Sequence, residues 1–578
     1  MSLIPNPSSG MVQLHEAMSQ HFEATSGKAD SSLPKKNVLV VGAGQQGITT
    51  AYWLGRAGHK VTVVEKCSGS SSPSSLSSPI SGAASSYTGL LQVNSSFAPL
   101  MARPNLLRAY KVQWCPSSNY MHPVLRVGLF DHDVGRSIRL ALAQFTARQG
   151  FIESVNKLNG MAMWNNWLVG KLINEWSTSN NDATNKPSKG WLSSSSSSAS
   201  PSSSAAITPI VRSSTLLAYD GRSWADLKDE LTTQLYLNDS KAPEPQALKL
   251  PPPMVTSEAA PLQFRQIDDL QLVEKIPSLK PKEFQLAGGI VFTDEVAVDN
   301  IAILNKMKNE SVEKFGVKFM YDTEVLKFQT QSNSFSSPTA ATSTAVVPSQ
   351  SSSSSSSSPA STVTSVLTSN GPMSSDVFVL CAGGDSKRIM RESQLPGVKP
   401  ILTYTTKTHH LAFPNPSPND SQLISPTSVL LPETHTTITT FPHQIRVSSG
   451  TEINSNEDLS IEPIQAGTKL VTPAPKLDPP RLKQLVEDVS GVYPTLTREV
   501  ISQQGATIPN VSLRTWTIDN KPLMGQYSPA VRNLFINNAH GNLGWSFAVA
   551  AGKHTTDLIT GTPTFIDPTP FAPNRFAN

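Results

Sequence analysis

Residues 37–66, NVLVVGAGQQGITTAYWLGRAGHKVTVVEK, constrain the fold more than any other stretch of this chain. They open on Val38-Leu39-Val40-Val41, an apolar run suited to a strand buried on both faces. Gly42-Ala43-Gly44-Gln45-Gln46-Gly47 follows at once. Ile48, Ala51 and Tyr52 then recur at helical spacing, and Gly58 and His59 turn the chain out of that helix. Val61-Thr62-Val63-Val64 is the second strand, with Glu65 and Lys66 at its end. Strand, Gly-x-Gly-x-x-Gly, helix, strand and an acidic residue about twenty positions on form the dinucleotide-binding fingerprint in its full context. Gly42 permits the tight turn, Gly44 lets backbone approach a pyrophosphate, and Gly47 lets the helix lie close to the strand. Free N–H groups at the helix start face the phosphates. Glu65 can accept from ribose hydroxyls, which favours FAD or NAD over NADP.

A chain of 578 residues has room for two or three domains, less its low-complexity stretches. A net charge of +4 is slight for this length and does not point to nucleic acid. Cys67, Cys115 and Cys381 are scattered, fit neither a disulfide framework nor a zinc spacing, and suit a reducing compartment. No metal site is expected. No apolar run reaches the length of a membrane span. The first residues lack a signal-peptide core and carry Glu16 and Glu23 without an arginine, unlike a transit peptide. A cytoplasmic protein is expected, with peripheral membrane or mitochondrial association as the alternative.

Along the chain, residues 1–36 are expected to form a disordered tail with one short helix near 15–21. Residues 67–81, 180–208 and 333–360 are rich in serine and proline, cannot bury a core, and are expected as loop inserts. Residues 84–93, with Tyr87, Gly89 and Leu90, suit close approach to a flat ring, or else a plain strand after a loop. Helices are expected over 101–119, 130–158 (core face Leu140, Ala143, Phe145 and Ile152), 224–236, 299–315 with Asp299 as cap, and 478–493. Strands are expected at 214–219, 288–292, 316–320, 324–329, 362–369, 376–384, 401–413, 428–440, 512–517 and 533–538. The insert at 333–360 falls at a hairpin tip, where insertions are tolerated. Ala539-His540-Gly541-Asn542-Leu543-Gly544-Trp545 is a second glycine loop opening a helix over 546–559. Such a loop is an anion site, or an ordinary strand-to-helix turn.

This order of segments resembles the FAD-dependent D-amino acid oxidase superfamily, which includes glycine oxidases, and within it bacterial-type D-amino acid dehydrogenases. The likeness spans residues 37–576 outside the inserts. It is carried by the fingerprint with Glu65, by residues 89–102 with Pro99 and then Pro104, by residues 514–525, and by the loop ending Gly541-Asn542-Leu543-Gly544-Trp545. The resemblance implies an α/β architecture. An FAD-binding Rossmann-like domain of the glutathione-reductase type (37–135, 284–395 and 520–578) would join an α+β substrate domain on a mixed antiparallel sheet (136–283 and 396–519).

The resemblance also implies noncovalent FAD held by Gly42, Ala43, Gly44, Gln45, Gln46, Gly47, Glu65, Lys66, Gly89, Leu90, Val325, Gly383, His540, Gly541, Asn542, Leu543, Gly544 and Trp545. In the family, backbone N–H groups of the second loop support the charge of the reduced flavin, and Asn542 stands where a threonine is usual. Arg514 occupies the position of the arginine that grips the substrate carboxylate; read on its own, it could equally be a solvated arginine on a strand. Tyr87 and His409 are the other substrate candidates, and His409 reads either as facing substrate or as packed. Thr515, Trp516 and Ile518 depart from the family's proline-bearing pattern, and Lys407-Thr408-His409 departs from a Lys-Gly-Tyr-like one. The activity implied is oxidation of a D-amino acid to a 2-oxo acid and ammonia by hydride transfer to flavin N5, with a quinone or oxygen as final acceptor. Glycine, sarcosine or proline as substrate is the rival within the superfamily. A flavoprotein without catalysis, its serine-rich segments serving interactions, is the rival outside it.

Overall fold

Period-two burial organises the fingerprint region. In the computed structural model, strand β1 (Asn37–Val41) turns Val38 and Val40 to one side and Leu39 and Val41 to the other, and all four are buried. The structure describes residues 9–26, 34–67, 148–181, 214–218, 264–267, 288–292, 298–330, 361–398, 403–417, 428–431, 436–441, 444–454, 479–503, 508–517, 519 and 521–576.

In chain order the described elements begin with helix α1 (Ser9–Ser26), β1, α2 (Gln45–Arg56), β2 (Lys60–Val64) and α3 (Arg148–Asn181). Then come β3 (Ser214–Ala218), β4 (Phe264–Ile267), β5 (Gly288–Phe292), α4 (Asn300–Glu313), β6 (Lys318–Met320), β7 (Val325–Thr330), β8 (Val363–Thr368), β9 (Gly371–Ser374) and β10 (Val377–Leu380). The remainder comprises α5 (Asp385–Ser393), β11 (Thr403–Pro414), β12 (Ser428–Leu431), β13 (Thr436–Thr440), β14 (Gln444–Asn454), α6 (Pro479–Val492), α7 (Arg498–Gln503), β15 (Ile508–Thr517), β16 (Leu523–Ser528), β17 (Val531–Asn538) and α8 (Gly544–Thr560).

Among the described residues the strands form three sheets. The first has the order β16-β17-β10-β1-β2-β6 and is parallel except at the β16–β17 hairpin. Its even-numbered β1 side packs on α2 through Ala51 and Leu54. Its odd-numbered side packs on the three-stranded sheet β7-β8-β9 through Phe328 and Val366. Each such fully buried aliphatic or aromatic side chain stabilises the fold by about 1.5–3 kcal/mol. β7 and β8 are antiparallel, so the insert at 333–360 lies on the connection of a hairpin. α4 begins at Asp299 as expected, whose side chain accepts from Ile301 N and Ala302 N.

The second large sheet has the order β15-β11-β14-β13-β12-β3-β5-β4. Its apolar face (Leu411, Phe413, Val429, Ile438, Ile445 and Val447) packs on α6 through Leu485, Val489 and Val492. Its other face is polar yet largely buried, with His410, Ser428, Thr439, Ser448 and Ser512. The two architectures meet where Asp299 at the start of α4 pairs with Arg446 of β14 at 3.4 Å.

The described segments depart from expectation in four places. Ser9–Ser26 forms one helix, longer than the short helix expected near 15–21 of a disordered tail, because Met18 and Phe22 bury beside Trp53 and Trp164. A long helix runs to Asn181 rather than stopping near 158, because Leu158, Met161, Leu168, Leu172 and Trp176 form a continuous buried stripe. That helix packs on the first sheet's helices: Asn165 bonds into α8 and Glu175 pairs with Arg56. It therefore does not belong with a substrate domain spanning 136–283. Conversely, β5 lies in the second sheet beside β3 and β4, not in the FAD-binding segment 284–395. The expectations at 84–93, 101–119 and 224–236, the insert at 333–360 and most of that at 67–81 lie outside the described residues.

Candidate cofactor and substrate site

The first glycine loop is shaped by contacts that leave no room for side chains. Gly42 has φ +101°, and a β-carbon there would lie 2.6 Å from the Cys381 carbonyl oxygen. One on Gly47 would lie 1.8 Å from the Gly42 carbonyl oxygen, so the start of α2 rests against the loop itself. Gly44 precedes α2 without a side-chain cap, which leaves the first N–H groups of that helix to a ligand. Glu65 closes the loop from the end of β2. One of its oxygens accepts from Ala43 N at 2.7 Å and the other from Cys67 N at 3.0 Å. A carboxylate has lone pairs left over for ribose hydroxyls after these two bonds.

Lys66 pairs with Asp385 at the start of α5. Burial works against its charge, but Asp385 holds its pKa above the usual lysine value. Val325 is buried at the start of β7, next to Glu324, which pairs with Arg388 at 2.9 Å. Burial raises the Glu324 carboxyl above its ordinary range, against the pull of Arg388. Gly383, at φ +55°, follows β10 at the carboxyl end of the parallel sheet, and its carbonyl accepts from Asn538 Nδ2 at 2.9 Å.

The second glycine loop lies beside the first. Gln46 Nε2 donates to the Gly544 carbonyl at 3.1 Å, and a β-carbon on Gly544 would lie 2.7 Å from Gln45 Nε2. α8 also starts without a side-chain cap, so two uncapped helix starts adjoin. His540 Nε2 bonds Asn537 Oδ1 at 2.7 Å, and Asn537 Nδ2 donates to Thr50 Oγ1 at 3.0 Å. An acceptor at Asn537 places the imidazole proton on Nε2. Burial pushes the His540 pKa down to about 3, so the ring is neutral. The side chains of Leu543 and Trp545 enter the helical core rather than the loop's open side. Only their backbone therefore faces the open side of the loop. Asn165 sets the first turns of α8: Oδ1 accepts from Val549 N and Ala550 N, and Nδ2 donates to the Trp545 carbonyl. The side chain of Asn542 lies outside the described residues, as do Tyr87, Gly89 and Leu90.

Arg514 lies on β15 opposite Thr406 of β11, and Ser512 lies opposite Thr408. Strand alternation puts Ser512, Arg514 and Trp516 on one face. Trp516 lies against the second glycine loop: a β-carbon on Gly541 would be 2.3 Å from its Cε3. Arg514 is half-buried, and burial pushes its guanidinium down to about 10, so it stays charged at neutral pH. On the other side of the same strand end, a β-carbon on Gly384 would approach Thr405 and Thr515. The second large sheet therefore meets the parallel sheet with the ends of β11 and β15 between the loop after β10 and the second glycine loop.

His409 does not join Arg514. It pairs with Val511 and Ser449 on the face that carries Leu411 and Phe413. His410 is the histidine on Arg514's face, where its Nε2 lies 2.5 Å from Ser512 Oγ. Burial first, then the charge of Arg514, hold its pKa well below the ordinary histidine value. His410, Ser512, Asn537 and Asn165 are functional candidates that motif reading passed over. Counting in twos from Arg514 would have found Ser512; the other three depend on register and packing.

The donor set fits FAD. Two adjoining uncapped helix starts suit a pyrophosphate and an anionic ring, and Gly42, Gly47, Gly541 and Gly544 sit where a β-carbon would run into other protein atoms, so the two loops can lie close together. Gln46 Oε1, His540 Nδ1 and Thr515 Oγ1 are buried without a hydrogen-bond partner among the described residues. Also among those residues, no cluster of His, Cys, Asp or Glu could hold a metal, and no helix is long and apolar enough to cross a membrane.

Comparison with known proteins gives the same architecture. A family described as FAD dependent oxidoreductase (DAO) matches residues 230–558, more than half of the chain. The chain is 22% identical over 541 residues to a D-amino acid dehydrogenase of Allorhizobium ampelinum, covering 93% of this chain and 98% of that one. It is 23% identical over 536 residues to a D-amino acid dehydrogenase of Rhizobium rhizogenes, covering 92% and 97%. The crystal structure of glycine oxidase from Geobacillus kaustophilus superposes with a TM-score of 0.54 at 15% identity, covering 94% of this chain and 99% of that one.

Proposed function

The chain belongs to the FAD dependent oxidoreductase (DAO) family, and on that premise we propose that it oxidises a D-amino acid to the 2-imino acid, which water hydrolyses to a 2-oxo acid and ammonia. FAD, when bound, supplies the two-electron acceptor for the substrate's α-hydrogen. The first glycine loop, Glu65, Gly383 and the backbone of residues 540–544 hold the cofactor. Arg514 binds the substrate carboxylate with its planar fork and so sets the orientation of the Cα–H bond. At neutral pH the guanidinium is charged and both His540 and His410 are neutral, so this face attracts an anion and repels a second cation.

One observation carries this proposal: Arg514 shares a sheet face with Trp516, and Trp516 lies on Gly541 of the second glycine loop. Two residues along a strand span about 7 Å. A carboxylate held at Arg514 is thus within a side-chain length of the loop. The names of the curated relatives support the D-amino acid as substrate.

The test is anaerobic bleaching of the purified yellow protein by a panel of D-amino acids, L-amino acids, glycine, sarcosine and proline. D-amino acids should reduce the flavin fastest. Faster reduction by an L-amino acid or by proline would replace the substrate while leaving the cofactor assignment in place.

A further inference from the structure

The polar face of the substrate sheet extends beyond Arg514. Cross-strand pairing sets Thr408 opposite Ser512, and His410 opposite Asn510 on one side and Ser448 on the other. His410, Thr408, Ser512 and Ser448 are all buried. Buried polar atoms are nearly always partnered, since leaving one bare costs about 1–3 kcal/mol. Yet Thr408 Oγ1 and His410 Nδ1 have no hydrogen-bond partner among the described residues. Both lie on the face of Arg514, one and two alternate positions along β11 from its cross-strand neighbour Thr406.

We propose that Thr408, His410 and Ser512 form the subsite for the substrate's side chain, and that it takes a neutral hydrogen-bonding group, a hydroxyl or a carboxamide, in preference to an alkyl group. The proposal rests on Arg514 holding the α-carboxylate, as argued above. The charges on this face select neutrality. A basic side chain would bring a second cation beside Arg514. An acidic one would need a cation of its own, and Arg446 on β14 is committed to Asp299 at 3.4 Å. A neutral imidazole with Nε2 engaged by Ser512 offers Nδ1, and the threonine hydroxyl both donates and accepts. An alkyl side chain would leave both atoms bare. A site built on hydrogen bonds rejects such analogues strongly, for that reason.

Thr408→Val is the sharpest probe, because it removes only the hydroxyl and keeps the shape. Removing a buried polar atom that has no partner among the described residues should leave folding intact, and an unchanged unfolding midpoint checks this. His410→Phe is the second variant. Two readouts are used. Anaerobic flavin reduction compares D-serine with D-2-aminobutyrate and D-asparagine with D-leucine, pairs close in shape. Perturbation of the flavin absorbance gives the Kd of 3-hydroxypropanoate against butanoate, carboxylates that are not oxidised as amines.

In the wild type the polar member of each pair should be favoured at least about tenfold. In Thr408→Val that ratio should fall to within about threefold, chiefly through loss on the polar member. Equal treatment of polar and alkyl members by the wild type, or an unchanged ratio in both variants, would overturn the subsite. If no D-amino acid reduces the flavin while the carboxylate pair still shows the preference and Thr408→Val abolishes it, the subsite stands and the D-amino acid assignment falls. If D-amino acids are oxidised without the preference, the reverse holds.

Discussion

Replacing Gly541 with alanine strains the second glycine loop in two separable ways. The residue sits at φ +53°, a left-handed conformation that a β-carbon disfavours by about 1–2 kcal/mol. That β-carbon would also lie 2.3 Å from Cε3 and 2.6 Å from Cδ2 of Trp516. These atoms are in the middle of a fused ring that is only 6% exposed, so the clash cannot be relieved by moving a flexible tip. Overpacking of this kind costs about 1–3 kcal/mol. The two effects together predict a loss of about 2–5 kcal/mol. Trp516→Leu removes the ring, so a Gly541→Ala/Trp516→Leu double variant escapes the clash but keeps the backbone strain. The double-mutant cycle should then show a favourable coupling of about 1–3 kcal/mol. Urea unfolding of the four proteins under one set of conditions, with retained flavin absorbance as a second readout, measures it. Additive effects, or a Gly541→Ala protein within about 0.5 kcal/mol of wild type, would refute the packing of Trp516 on the loop.

Acid should destabilise the protein through its buried histidines. Burial holds His554 down at about 4 and His540 at about 3, while an exposed imidazole titrates near 6.5. Between 6.5 and about 4 the unfolded chain binds protons that the folded chain refuses, so stability falls as pH drops through that window and is restored above it. Each such group contributes at most about 1.4 kcal/mol per pH unit there, and unfolding midpoints at pH 7 and pH 5 should differ accordingly, with a flatter profile in His554→Gln. Asp299→Ala should lose about 1–2 kcal/mol through the start of α4. Asp299→Ser should recover the cap but not the pairing with Arg446, a difference that thermal unfolding of the two variants reads.

The parts legible in the sequence are those whose contacts are local. β1, the glycine turn, α2 and β2 follow one another within thirty residues of chain, and the close approach of Gly47 to the Gly42 carbonyl is written in their spacing. Asp299 was legible as a cap because a cap bonds residues two and three positions on. His409 and His410 show the opposite case. Both sit in the same strand, and only the register of β11 against β15 and β14 decides which one faces Arg514. One residue of slip exchanges the faces, and nothing local records it. The full length of α3 is hidden in the sequence for a related reason. Gly160, Gly170 and several asparagines weaken its helical propensity, and its stability comes from the stripe buried against other helices. α1 likewise forms against Trp53 and Trp164, residues far from it in the chain. β5 joined the second sheet because β3 and β4 flank it, a pairing across long connections that composition cannot show.

Stopped-flow reduction of the bound flavin by a D-amino acid, in wild type, Arg514→Lys and Arg514→Ala, tests the central claim most directly. All three proteins should keep FAD, because Arg514 lies on β15 of the second large sheet and not in either glycine loop. Loss of the guanidinium leaves the carboxylate without its partner, which costs about 3–5 kcal/mol in a buried site, so reduction efficiency in Arg514→Ala should fall by at least about a hundredfold. Arg514→Lys should recover only part, since an ammonium cannot engage both oxygens in one plane. An amine lacking the carboxylate should react alike with wild type and Arg514→Ala. Unchanged reduction of the flavin by D-amino acids in Arg514→Ala would contradict the account.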